Sequence, residues 1–118
     1  MIIEVNNEGV QPQRLHDEDI GLTLYTPRPL ALGHGINEVV LNFDISFDDS
    51  EYALILSKKK MAGKGIIVID TGIDRREYTN FSILVDVRNE LGCLLPKGTA
   101  IATLVVLQNV FQQSHTYH

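Results

Sequence analysis

The chain has 118 residues, a net charge of −5 at neutral pH, 44% hydrophobic residues and one cysteine. That is the size of one domain able to build a core without disulfides, and the acidic balance argues against sequence-independent binding of nucleic acid. No apolar run approaches the roughly 20 residues of a membrane-spanning helix. The opening MIIEVNNEG lacks the basic and apolar regions of a signal peptide, and a lone cysteine fits a reducing, intracellular compartment.

Ile2 to Val5 reads as a short strand, and Asn6 to Gln13, with Gly9 and Pro12, as a loop. From Ile20 to Tyr25, Leu22 and Leu24 alternate with Thr23, a half-buried strand. Pro27 and Pro29 stop it or confine it to a sheet edge, and Gly33 and Gly35 flank a turn at His34. Leu41, Phe43, Ile45 and Phe47 then alternate with Asn42, Asp44, Ser46 and Asp48, predicting one strand with one wet face. After a turn at Asp48 to Glu51, the chain returns as a strand over Tyr52 to Leu56.

Lys58 to Gly65 reads as a glycine-containing cationic loop, Ile66 to Ile69 as a short buried strand, and Thr71 to Asn80 as a polar turn. Phe81, Ile83, Val85 and Val87 predict another strand, with Leu84 interrupting the alternation as it does where both faces are covered. Cys93 sits in the apolar run Leu91 to Leu95 and is expected to be packed. Pro96-Lys97-Gly98 is a turn, and Ala100 to Leu107 a mostly apolar strand. Neither Asp17 to Leu24 nor the last dozen residues shows a convincing helical period. Short strands at roughly eight-to-twelve-residue spacing indicate an all-β sandwich, jelly roll or barrel.

The residues exclude several chemistries. His115 and His118 are far in sequence from His16, and no Cys/His cluster suggests zinc. Cys93 has no electropositive or histidine neighbour in sequence to activate it. The GKG at Gly63 to Gly65 lacks the spacing of a P-loop, and Asp44, Asp48 and Asp49 are not spaced as a calcium loop. What remains is the stretch Leu56 to Tyr78, a lysine-rich loop and an acidic turn tethered to the ends of one strand. By themselves these are either parts of a binding site or two ordinary hairpin loops.

Four blocks in order resemble the trimeric dUTP pyrophosphatases (dUTPases), especially the viral and retroviral type. EDIGLTL, Glu18 to Leu24, is similar to the family's first motif. SKKKMAGKGIIVIDTGID, Ser57 to Asp74, is similar to the second motif and the strand leading into the third, with Tyr78 resembling the third motif's tyrosine. PKGTAIATLVVL, Pro96 to Leu107, is similar to the fourth. The resemblance implies a single dUTPase-like domain over residues 1–118, family-like from about 17 to 107, with a jelly-roll or distorted-barrel β fold. It also implies a homotrimer with sites between subunits.

In that family Asp74 falls on the aspartate that positions the attacking water, Tyr78 on the residue closing the uracil and deoxyribose pocket, and Lys58 on the basic phosphate contact. The departures are extensive. Thr23 stands for a first-motif acid, and Ser57 for a glycine. Lys59 and Lys60 replace both second-motif serines, exchanging short-range hydroxyls for longer, donor-only point charges. Tyr78 lies four residues after Asp74 rather than three, Asn80-Phe81 replaces a Gly-Glu pair, and Ala100 and Thr103 replace an arginine and a glutamine. The ending FQQSHTYH, within the tail 108–118, lacks the glycine-rich arm.

Together these predict a non-catalytic, dUTPase-like viral accessory factor acting through protein contacts. Asp74 is then a vestigial catalytic residue, and Lys58, Lys59, Lys60 and Tyr78 are nucleotide contacts, holding dUTP weakly if at all. No metal or cofactor is expected unless the enzyme reading holds, in which case Mg²⁺ accompanies the triphosphate. The alternatives are a divergent nucleotide pyrophosphatase and a purely structural trimer.

Overall fold

The computed structural model describes residues 1–14, 21–69 and 72–108. Within them the chain forms twelve strands and one short helix: β1 Ile2–Val5, β2 Gly21–Tyr25, β3 Leu30–Leu32, β4 Gly35–Val40, β5 Phe43–Ser46, β6 Glu51–Ser57, α1 Lys59–Gly63, β7 Ile66–Ile69, β8 Gly72–Ile73, β9 Glu77–Tyr78, β10 Ser82–Val87, β11 Cys93–Leu95 and β12 Ala100–Gln108. They make four small sheets, in the orders β1-β5-β9, β4-β10-β7, β11-β3 and β2-β12-β6-β8. Every strand pair is antiparallel. The result is a distorted β fold, all-β as expected.

Two central strands organise the core. β12 is paired on both sides, by β2 and β6, and buries Ile101, Ala102, Leu104 and Val105. β10 lies between β4 and β7; Ile83, Val85 and Val87 are buried, while Ser82, Leu84 and Asp86 are half-buried. That pattern puts Leu84 on a partly covered second face, as its interruption of the alternation predicted. Phe43, Leu41, Ile45 and Phe81 join the same cluster, and Phe43 stacks on Phe81 with centroids 5.5 Å apart.

Three expectations change. Leu41 to Asp48 keeps its alternating burial, but only Phe43–Ser46 is strand. Asn42 adopts a left-handed conformation (φ 58°) that asparagine tolerates, and this breaks β4 from β5. Lys58 to Gly65 is not simply a loop: Lys59, Lys60, Met61 and Ala62 are good helix formers and make α1. Met61, 3% exposed, plugs the helix into the core. Gly65, at φ 80°, supplies the left-handed residue that ends it, with its N–H on the Ala62 carbonyl at 2.9 Å. Thr71 to Asn80 is not only a turn, because β8 and β9 lie within it. Cys93 packs against the core half-buried, while its neighbours Leu91 and Leu94 are exposed.

Candidate functional site

The hairpin-like reversal from Gly72 to Phe81 carries Asp74 and Tyr78; its two strands do not pair with each other and belong to different sheets. β8 pairs with β6 through Ala53↔Ile73 and Leu54↔Gly72; β9 pairs with β5 through Ile45↔Tyr78 and Ser46↔Glu77. Three devices fix the hairpin. Arg76 donates from Nη1 to the carbonyls of Asp48 (2.7 Å) and Glu51 (3.0 Å), and from Nη2 to that of Asp49 (3.3 Å). Asp44 accepts the Asn80 N–H at 2.9 Å. Phe81 is buried and meets the Tyr78 ring edge-on at 5.3 Å.

Asn80, standing where the resemblance implies a glycine, is left-handed (φ 53°), a conformation that asparagine tolerates. Of the side chains that hold the hairpin, Phe81 reads as buried from the sequence, while Arg76 carries no signal there. Asp44 is an ordinary wet-face acid until its partner, 36 residues away, is known.

Asp74 and Tyr78 are brought together. The tyrosine hydroxyl donates to Asp74 Oδ1 at 3.3 Å and accepts the Arg75 N–H at 3.2 Å. The Arg75 guanidinium lies 6.0 Å from the centre of the Tyr78 ring, at the outer limit of a cation–π contact. These residues border an open pocket of about 520 Å³ between the hairpin and β10. Its apolar wall includes Ile55, Val68, Phe81 and Ile83, and its polar rim Glu38, Asp74, Arg75 and Asn80.

The lysines do not line that pocket. Lys58 Nζ donates instead to Thr23 Oγ1 at 2.9 Å, so the departing residue of the first motif meets the basic residue of the second. Thr23 is 2% exposed; a hydroxyl there needs one partner, and Lys58 supplies it. Ser57 is also engaged, since its Oγ accepts the Val68 N–H at 2.9 Å. Lys59 and Lys60 are exposed on α1. Glu18, Asp19 and the other first-motif residues before Gly21, and His16, His115 and His118, lie outside the described residues. Among the described residues no group of three or more His, Cys, Asp or Glu is placed to hold a metal ion.

Residues 7–118 match the dUTPase family profile, and the chain belongs to the dUTPase family. It is 25% identical over 101 residues to the Pol polyprotein of caprine arthritis encephalitis virus (strain Cork), a match covering 85% of this chain and 9% of that polyprotein.

Solved structures share the fold. The dUTPase of phage phi11 of S. aureus superposes with a TM-score of 0.78 at 15% identity, covering 91% of this chain and 89% of that one. The dUTPase of Staphylococcus bacteriophage 80alpha, solved with dUpNHpp, gives 0.74 at 17% identity, covering 91% and 81%.

Proposed function

We propose that this dUTPase-family chain works as a non-catalytic viral accessory or regulatory protein, a single-domain homotrimer acting inside the cell through protein contacts. The observation carrying this reading is the inward engagement of the second-motif side chains. Ser57 accepts from the Val68 backbone and Lys58 donates to Thr23, and both of the family's phosphate-facing serines are lysines here. Hydrolysis of a triphosphate depends on positioning and charge stabilisation, and a base alone supplies about 10²–10⁴-fold. The phage 80alpha dUTPase is described as controlling transfer of virulence genes by a G protein-like mechanism, which supports a regulatory use of this fold.

The chain's own described residues do not form an oxygen-ligand cluster fitting Mg²⁺. The phi11 dUTPase is described as coordinating a structural Mg(II) ion.

Pyrophosphate release from dUTP with magnesium, measured beside an Asp74→Asn control, tests the proposal. No turnover in either protein, with a trimer seen by light scattering, is expected. Turnover that Asp74→Asn abolishes would overturn it and establish the second reading, a divergent pyrophosphatase. What favours that reading is the Asp74–Tyr78 pair at the rim of the pocket.

A further inference from the structure

We propose that the exposed side of α1 and its C-cap, carrying Lys59, Lys60 and Lys64, is a docking surface for an acidic, extended segment of a partner protein. The proposal rests on the protein-contact reading and names its partner chemistry.

Four of the ten basic residues fall between positions 58 and 64, in a chain with fifteen acidic ones. Lys58 is spent on Thr23, which leaves three. The ion pairs among the described residues join the N-terminus to Glu51, Arg76 to Asp49 and Arg88 to Asp86, and none involves a lysine. The ridge is also preorganised. Met61 is sunk in the core, the Ala62 N–H bonds the Lys58 carbonyl at 2.9 Å and the Lys64 N–H bonds that of Met61 at 2.9 Å. A partner therefore does not have to order this backbone, which lowers the cost of binding.

The geometry selects among anions. Lys60 and Lys64 are four residues apart and so share one side of the turn, while Lys59 is offset from Lys60 by about 100° around the helix; all three are exposed, so the charge is spread over more than one side of the turn. A single phosphate needs donors that converge in a concavity. A carboxylate-bearing strand of chain meets charges spread in this way one at a time. Leu56, two residues before Lys58 in the chain, is 44% exposed, and a leucine in the partner segment would test whether it contributes. Long polyanions are disfavoured by the acidic remainder of the surface, whose repulsion extends over about a Debye length, ~8 Å at physiological salt.

The test uses the full chain and fluorescence anisotropy with a labelled decapeptide of glutamate and leucine, in parallel with a labelled DNA duplex and with inorganic triphosphate as competitor. Salt-sensitive peptide binding is expected. It should fall about tenfold or more in a Lys59→Gln/Lys60→Gln/Lys64→Gln variant, because each surface pair contributes little and three are lost, and it should persist in Lys97→Gln. Equal binding by the triple variant would overturn the proposal, as would tighter binding of duplex or triphosphate than of peptide. The dUTP assay on the same preparations separates the outcomes: turnover sinks the non-catalytic reading, whereas loss of peptide selectivity with no turnover sinks only the ridge.

Discussion

Replacing Asp44 by serine tests whether the wet face of β5 is inert. Alternation alone makes Asp44 a solvent-facing residue whose loss is nearly neutral. In the structure its Oδ1 accepts the N–H of Asn80 at 2.9 Å, and Asn80 is held left-handed. A hydrogen bond to a charged acceptor contributes about 1.5–3 kcal/mol when sheltered. Both residues are exposed, so water replaces part of it, and roughly 1 kcal/mol is the expected cost, or about 4 °C in Tm for a chain of this length. Serine is one bond too short to reach, whereas Asp44→Asn keeps an oxygen in place and should recover part of the loss. Melting by circular dichroism, with amide exchange read at residues 77–81, is the assay. If Asp44→Ser melts within a degree of wild type and leaves exchange unchanged, the cap is not holding the hairpin and the reasoning fails.

Three further outcomes are expected. Phe43→Asp or Ile45→Asp should abolish the cooperative thermal transition, since each side chain is at most 2% exposed and an unpaired buried charge costs several kcal/mol; a melt like wild type would refute the burial of that face. Gly92→Ala should lower Tm measurably, because Gly92 sits at φ 76° and an added Cβ would lie 2.3 Å from the Leu32 carbonyl oxygen, so unchanged stability would count against that close approach. The Ser50 hydroxyl bonded to Asp48 Oδ1 at 2.7 Å holds the Asp48 carboxyl below its ordinary value, mainly through that bond. Its folded pKa is depressed, so its contribution is full above the unfolded carboxylate range and is lost as pH falls through the folded value. The difference in Tm between wild type and Ser50→Ala should therefore shrink on acidification, and a difference that grows would reverse the sign.

Most of the longer strands and much of the core were legible because the signals are local, whereas β3, β4 and β11, between prolines, glycines and exposed leucines, carry no clear alternation. Phe43, Ile45, Ile83, Val85 and Val87 announce buried faces by period alone, and the four motif blocks carried the family. Two further kinds of feature were not legible. Asn42 and Asn80 break or turn the chain through a conformation that no hydrophobic pattern records. The Lys58–Thr23 bond and the Arg76 clamp join residues 35 and 25 to 28 positions apart, and such pairings are decided by sheet topology. Lys59 and Lys60 were legible as cations, yet their place on a helix depended on Met61, which reads equally well as one apolar residue in a loop.

The hairpin of Asp74 and Tyr78 has one strand in the sheet of β6 and the other in the sheet of β5, and this bears on the order of assembly. Neither two-residue strand can be nucleated by its own short ladder; each needs a finished edge to join. The β6 edge is built against β12, half the chain away, and long-range closures of that kind are slow. The hairpin should therefore be among the last elements to form, with its contacts largely absent from the folding transition state. Substitutions there would leave the folding rate almost unchanged and act on unfolding. A segment acquired so late is free to vary in sequence without impairing the route by which the rest of the molecule is reached.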